Sequence, residues 1–339
     1  MSLNIYAGPA KVTIAVGVAP TKYSFYPDGD AGAVKVDLIE GKVERGSAAL
    51  GFQTHIVTAQ SAKVSLTPYD SWSILPVLFP FSCVHTGAGA TAGPLKIGGR
   101  AHDTAAGAAN GLAPTSVFGL TNSNLYVLNR SAITKHPNMM LGVGKPLFDG
   151  LEITGLSDLT VISPKDIITI TESSASDPDA TFTNDYINEK WTGIWGTIAG
   201  FGGGGSDVPM QAEDFWTLKT NATYNTRSIA GWPWHMDLKT VEFQLSAKIV
   251  GFTHTQLFDR IKAHVQGQAL GASATGSGID LTLTGATTAK TIALKNCEVS
   301  VDNSAISYGG SGLAAPQVTF YSRVTTLAGA VAPSLIISA

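Results

Sequence analysis

A pattern that occurs twice in one chain restricts its folds more than composition does, because each copy reads as one structural unit. The order Gly-aromatic-x-x-His, followed by Ser-Ala-Lys-aliphatic, appears at Gly51-Phe52-Gln53-Thr54-His55 with Ser61-Ala62-Lys63-Val64. It returns at Gly231-Trp232-Pro233-Trp234-His235 with Ser246-Ala247-Lys248-Ile249. His55 and His235 are 180 positions apart, and Ser61 and Ser246 are 185 apart, so the copies differ by a small insertion. Two matches in the same order argue for a duplicated domain.

Both copies lie in strand-like surroundings. Val34, Val36 and Leu38 alternate with Lys35 and Asp37, and Ala62, Val64 and Leu66 alternate with Ser61, Lys63, Ser65 and Thr67. In the second copy Phe243, Leu245, Ala247 and Ile249 alternate with Glu242, Gln244, Ser246 and Lys248, and Trp216 and Leu218 alternate with Thr217 and Lys219. Period-two alternation marks a strand with one buried face. Between the two strands of each copy a connection of roughly ten or more residues is expected, longer than a hairpin turn needs. These connections, near residues 48–56 and 229–238, carry Leu50 and Phe52 in one and Ile229, Trp232 and Trp234 in the other, with His55 and His235 recurring beside them. Apolar loops of this kind are costly unless a partner covers them.

A short helix is expected after each second strand, through Trp72, Ile74, Leu75 and Leu78, and through Leu257, Phe258, Ile261 and Val265. Further strands are expected over residues 11–18, 125–128, 132–135 and 146–156, then 281–283, 291–294, 298–301 and 317–324. The Gly-, Ala- and Thr-rich stretch 84–117 reads as an irregular loop insertion. The fold class is therefore mainly β, with two tandem β-sandwich or partial-barrel domains, residues 1–158 and 159–339, each bearing one short α-helix. Their junction falls between residues 157 and 188, where the polar run 173–179 has the composition of a linker.

Composition points to a subunit. Only 14% of residues are charged, against about 25% in an average globular protein. A chain so poor in charge is expected to cover its surface with neighbours. No apolar run is long enough for a membrane-spanning helix, and the regular strand series of a membrane barrel is missing. The opening Met1-Ser2-Leu3-Asn4 does not read as a secretory signal, so Asn129-Arg130-Ser131 and Asn221-Ala222-Thr223 are not read as glycosylation sites. Cys83 and Cys297 read as small buried hydrophobes. A net charge of −3 without a basic run argues against tight capture of nucleic acid.

Reactive groupings are absent from the pattern. The seven histidines show no helical zinc spacing, and no Gly-x-Ser-x-Gly elbow occurs. The glycines at 202–205 lack the Lys-Ser/Thr ending of a phosphate loop, and Gly144-Lys145 is followed by Pro146, which has no backbone donor. Asp28 and Asp30 read as a turn, and Asp177 and Asp179 as polar loop. No catalytic, cofactor or metal site is expected, and the chain is not read as an enzyme.

The opening Ala7-Gly8-Pro9-Ala10-Lys11-Val12, the stretch Ser65-Leu66-Thr67-Pro68-Tyr69-Asp70-Ser71-Trp72 with Leu75-Pro76-Val77-Leu78-Phe79-Pro80, and His136-Pro137-Asn138-Met139-Met140 with Lys145-Pro146-Leu147-Phe148-Asp149-Gly150 carry a likeness. In these the chain resembles the tail tube proteins (major tail proteins) of long-tailed bacteriophages, over most of its first half. The second half lacks counterparts of Thr67-Pro68-Tyr69-Asp70 and Lys145-Pro146-Leu147-Phe148. The resemblance implies a β-sandwich with one helix whose inner sheets join around a closed ring, and rings that stack through a long loop. It implies a virion tail location after synthesis in the host cytoplasm, tape-measure and tail terminator proteins as partners, and double-stranded DNA passing through the lumen without specific binding. With two units per chain, three chains would close a pseudo-six-fold ring, a ring of six whole chains being the alternative. Leu50, Phe52, His55, Ile229, Trp232, Trp234 and His235 are the expected inter-ring contacts. Two other readings stay open: another virion ring component, such as a terminator, baseplate hub or decoration protein, and a carbohydrate-binding β-sandwich.

Overall fold

The computed structural model describes residues 11–16, 21–27, 33–45, 52–68, 72, 74–78, 83–86, 115–121, 124–144, 147–155, 168–171, 179–182, 189–195, 208–229, 232–250, 279–302, 317–323 and 335–338. The chain opens with β1 (Lys11–Val16), β2 (Thr21–Phe25), β3 (Ala33–Arg45) and β4 (Phe52–Leu66), then one helical turn, α1 (Leu75–Leu78). Next come β5 (Cys83–Thr86), β6 (Thr115–Thr121), β7 (Asn124–Lys135), β8 (Met139–Leu141), β9 (Leu151–Gly155) and β10 (Ile168–Thr171). The remainder supplies β11 (Trp191–Trp195), β12 (Val208–Ala212), β13 (Trp216–Ile229) and β14 (Trp232–Val250). It ends with β15 (Ile279–Gly285), β16 (Thr291–Asp302), β17 (Gln317–Arg323) and β18 (Leu335–Ser338).

The fold is mainly β, in open sheets. An eight-stranded sheet runs β2-β1-β6-β7-β9-β4-β3, with β10 also on β7. A ten-stranded sheet runs β5-β18-β16-β15-β11-β12-β14-β13-β8, with β17 between β14 and β16. The same succession of antiparallel pairings occurs in both. In the first set β2 pairs β1, which pairs β6, then β7, β9, β4 and β3. In the second β12 pairs β11, which pairs β15, then β16, β17, β14 and β13. β10 lies on β7 as β18 lies on β16. Even the bridge Pro27–Pro68, which joins the ends of β2 and β4, has its parallel in Gln211–Val250 and Ala212–Ile249. β10 and Asp179 still attach to the first set, and Trp191 opens β11 of the second.

Alternation places the core as the sequence predicts. Val64 and Leu66 of β4 are buried, and so are Phe243, Leu245, Ala247 and Ile249 of β14, while Lys248 is exposed. Burial of each of these side chains other than Ala247 contributes about 1.5–3 kcal/mol. Several boundaries differ from expectation. Residues 125–128 and 132–135 belong to one strand, β7, and residues 291–294 and 298–301 to one strand, β16. A register shift falls at the residues between them in each strand, and pairing resumes beyond it, with Ser131 opposite Thr115 and Cys297 opposite Ile279. The stretch read as an irregular insertion holds β5 at one end and β6 at the other, and 87–114 lies outside the described residues. The helix predicted in the first copy is a single turn, because Leu78 N bonds Ile74 O and α1 ends there. The one predicted at 253–265 lies outside the described residues.

Candidate functional site

The two expected long connections are replaced by extended strands. β3 and β4 stay paired from Ala33–Ser65 out to Arg45–Phe52, and β13 and β14 from Thr217–Ser246 out to Ile229–Trp232. Polar and aromatic residues that break the apolar alternation still satisfy their backbone groups by pairing across a ribbon, so loss of alternation does not end the strand. Phe52 and His55 thus stand on β4, opposite Arg45 and Lys42. Ile229 closes β13, and Trp232, Trp234 and His235 open β14, with Trp232 opposite Ile229 and His235 opposite Arg227. Leu50 lies outside the described residues. A register shift at Arg227/Ser228 leaves Trp234 as the extra residue beside Pro233. A bulge there suits a proline, which has no N–H to give to a ladder.

Each hairpin becomes an arm. β4 meets β9 only over Lys63–Leu66, and β14 meets β17 only from Glu242 and β12 only at Ile249 and Val250. Beyond those points each arm pairs only with itself among the described residues. Roughly eight to ten residues at about 3.3 Å each carry an arm some 25–35 Å from its sheet. A lone two-stranded ribbon is marginally stable in water and offers unpaired edges to another chain.

A second feature, which spacing in the sequence did not reveal, is the seam between the two strand sets. β5 adds to β18 in parallel and β8 adds to β13, so two strands of the first half complete the sheet of the second. Between them, the rings of Trp72 and Trp191 stack with centroids 5.9 Å apart, and Lys290 Nζ lies 4.8 Å from the Trp72 ring centroid. His136, only 6% exposed, donates from Nδ1 to the carbonyl of Leu78 at 2.6 Å. A carbonyl can only accept, so the neutral ring presents Nε2 to the Tyr224 hydroxyl, which donates at 2.6 Å. Burial lowers the His136 pKa to about 4, the Leu78 carbonyl opposing only in part, and burial pushes the Tyr224 hydroxyl well above its ordinary value. Beside this pair a polar cleft of about 370 Å³ is lined by Thr134, Lys135, Asn138, Thr220 and Thr223. His136, Leu78 and Tyr224 are distant in sequence, so no local motif announces them.

Each strand set also has a polar anchor of its own. The buried Glu189 accepts from the amides of Thr287 and Thr288 at 2.6 and 2.9 Å and from the Thr288 hydroxyl at 2.5 Å. Burial alone would raise its pKa, but the Thr288 and Thr287 donors and the nearby Lys290 charge outweigh it and hold the carboxylate below its ordinary range. Asp179, read from sequence as linker, is fixed instead: its carbonyl accepts from Lys11 Nζ at 2.5 Å and its carboxylate from Ser24 Oγ at 2.6 Å. Among the described residues no cluster of three His, Cys, Asp or Glu is placed to hold a metal, and no helix is long and apolar enough to cross a membrane. Comparison with protein-family models and with curated proteins found no match.

Proposed function

We propose that the protein is a structural virion subunit that polymerises into the tail tube of a long-tailed bacteriophage, a conduit through which DNA passes from capsid to host cell. The observation that carries this reading is the pair of hairpin arms, one per strand set, each extending past its own sheet with edges that are unpaired among the described residues. Arms of this kind suit contact between stacked rings, and the paired strand sets suit a tandem duplication that supplies two wall units per chain. Low charge and open sheet edges agree with a surface completed by neighbours. The role is architectural rather than catalytic, with the lumen conducting DNA without specific contacts. Tape-measure and terminator proteins are the expected tail partners.

Negative-stain microscopy of the purified protein tests the reading, with hollow rings roughly 100 Å across, or tubes, as the expected result. The arms are tested by replacing residues 226–236 with Asn-Gly, which joins the opposed Asn225 and Asp237 by a two-residue turn in register. This variant should keep its strand content and melt within a few degrees of the parent, yet form no tubes. Tubes of unchanged length and abundance would remove the arms from the stacking contact.

A further inference from the structure

Among the described residues each pairing of the first strand set has a counterpart in the second, but two pairings made by the second set have none in the first. These are β5 on β18, parallel, and β8 on β13 through Met139–Leu218, Met140–Thr217 and Leu141–Trp216. Both guest strands come from the first half of the chain. The corresponding host positions in the first set can be read from register. β10 stands on β7 through Ile168–Leu128 to Thr171–Leu125, as β18 stands on β16 through Leu335–Leu294 to Ser338–Thr291. The start of β3, Ala33 to Lys35, lies opposite the part of β4 that belongs to the sheet, as Trp216 to Leu218 lie within the sheet part of the β13–β14 hairpin. Among the described residues neither β10 nor β3 has a second strand neighbour. Natural sheet edges are commonly blunted by Lys or Pro. β10 reads Ile-Thr-Ile-Thr and carries neither.

We infer that the outer edge of β10 and the first residues of β3 receive guest strands from the second half of another copy of this chain. The contact between chains then repeats the seam within each chain with the roles exchanged: within a chain the first half is guest and the second half host, and between chains the second half is guest and the first half host. Such an interface is heterologous, head to tail, and it closes a ring where its rotation allows. This rests on the reading of the protein as a polymerising subunit, and it names the surfaces that join.

Hydrogen exchange of the intact protein, as dispersed subunits and as assemblies, tests it. On assembly the amides of 168–171 and 33–35 should slow by at least about tenfold. Those of 335–338 and 216–218, already paired inside each chain, should change little. Tubes whose new protection falls elsewhere would overturn this inference and leave the tube reading intact. Single rings that never stack, but show this protection, would support the inference and remove the tube. A chain that stays monomeric at every concentration would overturn both.

Discussion

Gly193 shows how tightly single atoms are placed in the second strand set. A Cβ there would lie 2.7 Å from Cζ2 of the fully buried Trp216 and 3.1 Å from Cδ2 of Leu283. A rigid indole cannot yield as a flexible side chain does, so Gly193→Ala should destabilise by about 1–3 kcal/mol in chemical denaturation. His136 makes a different prediction, one of pH. Its folded pKa of about 4 lies below the ordinary 6.5. Between those values the unfolded chain binds a proton that the folded chain refuses, so stability falls as pH drops through this window and levels off below it. Over the full window the loss is about 3 kcal/mol. Urea midpoints measured from about pH 7 down to about pH 4 should show this slope, and His136→Gln should flatten it. An equal slope in both proteins would mean that His136 is not held neutral at the seam.

At the scale of elements, the turn between β15 and β16 depends on a residue from outside the hairpin. Gly285 N bonds Lys290 O, Ala286 N bonds Lys190 O, and Ala289 sits at φ 55. A non-glycine residue in the left-handed region needs its surroundings to hold it, and Glu189 does so by accepting from Thr287 and Thr288. Glu189→Gln should cost about 1–3 kcal/mol at neutral pH. Because the folded carboxylate pKa is depressed below 4.5, its stabilisation is present above that value and lost as pH falls through the folded pKa. The parent and Glu189→Gln should therefore converge in acid, which paired denaturation curves would check. The arms belong to this scale too. From sequence, the strand that is β4 is expected to begin at Ile56, but the tips at Phe52–His55 and Trp232–His235 have no apolar alternation to betray them. Only the cross-strand ladder identifies them as strands.

For the whole molecule, the seam decides whether the two strand sets act as one body. Trp72 belongs to the first half and is 6% exposed against Trp191 and Lys290 of the second. Trp72→Ala should cost about 3–5 kcal/mol. It should also speed exchange at β5 and β18 more than at β1 and β2, because the former bridge the halves. Uniform loss of protection throughout would instead mark Trp72 as ordinary core.

The amino-acid sequence by itself determined the mainly β character, the buried faces of β4 and β14, and the recurrence of one pattern in two halves. These are local or periodic properties, set by alternation along a strand. Tertiary structure alone decided that β5 and β8 join the other half's sheet and that His136, Leu78 and Tyr224 meet. It also turned the expected aromatic loops into strand-paired arms. Edge pairing through backbone groups is nearly independent of side-chain identity, and contacts between residues far apart in the chain leave no periodic trace.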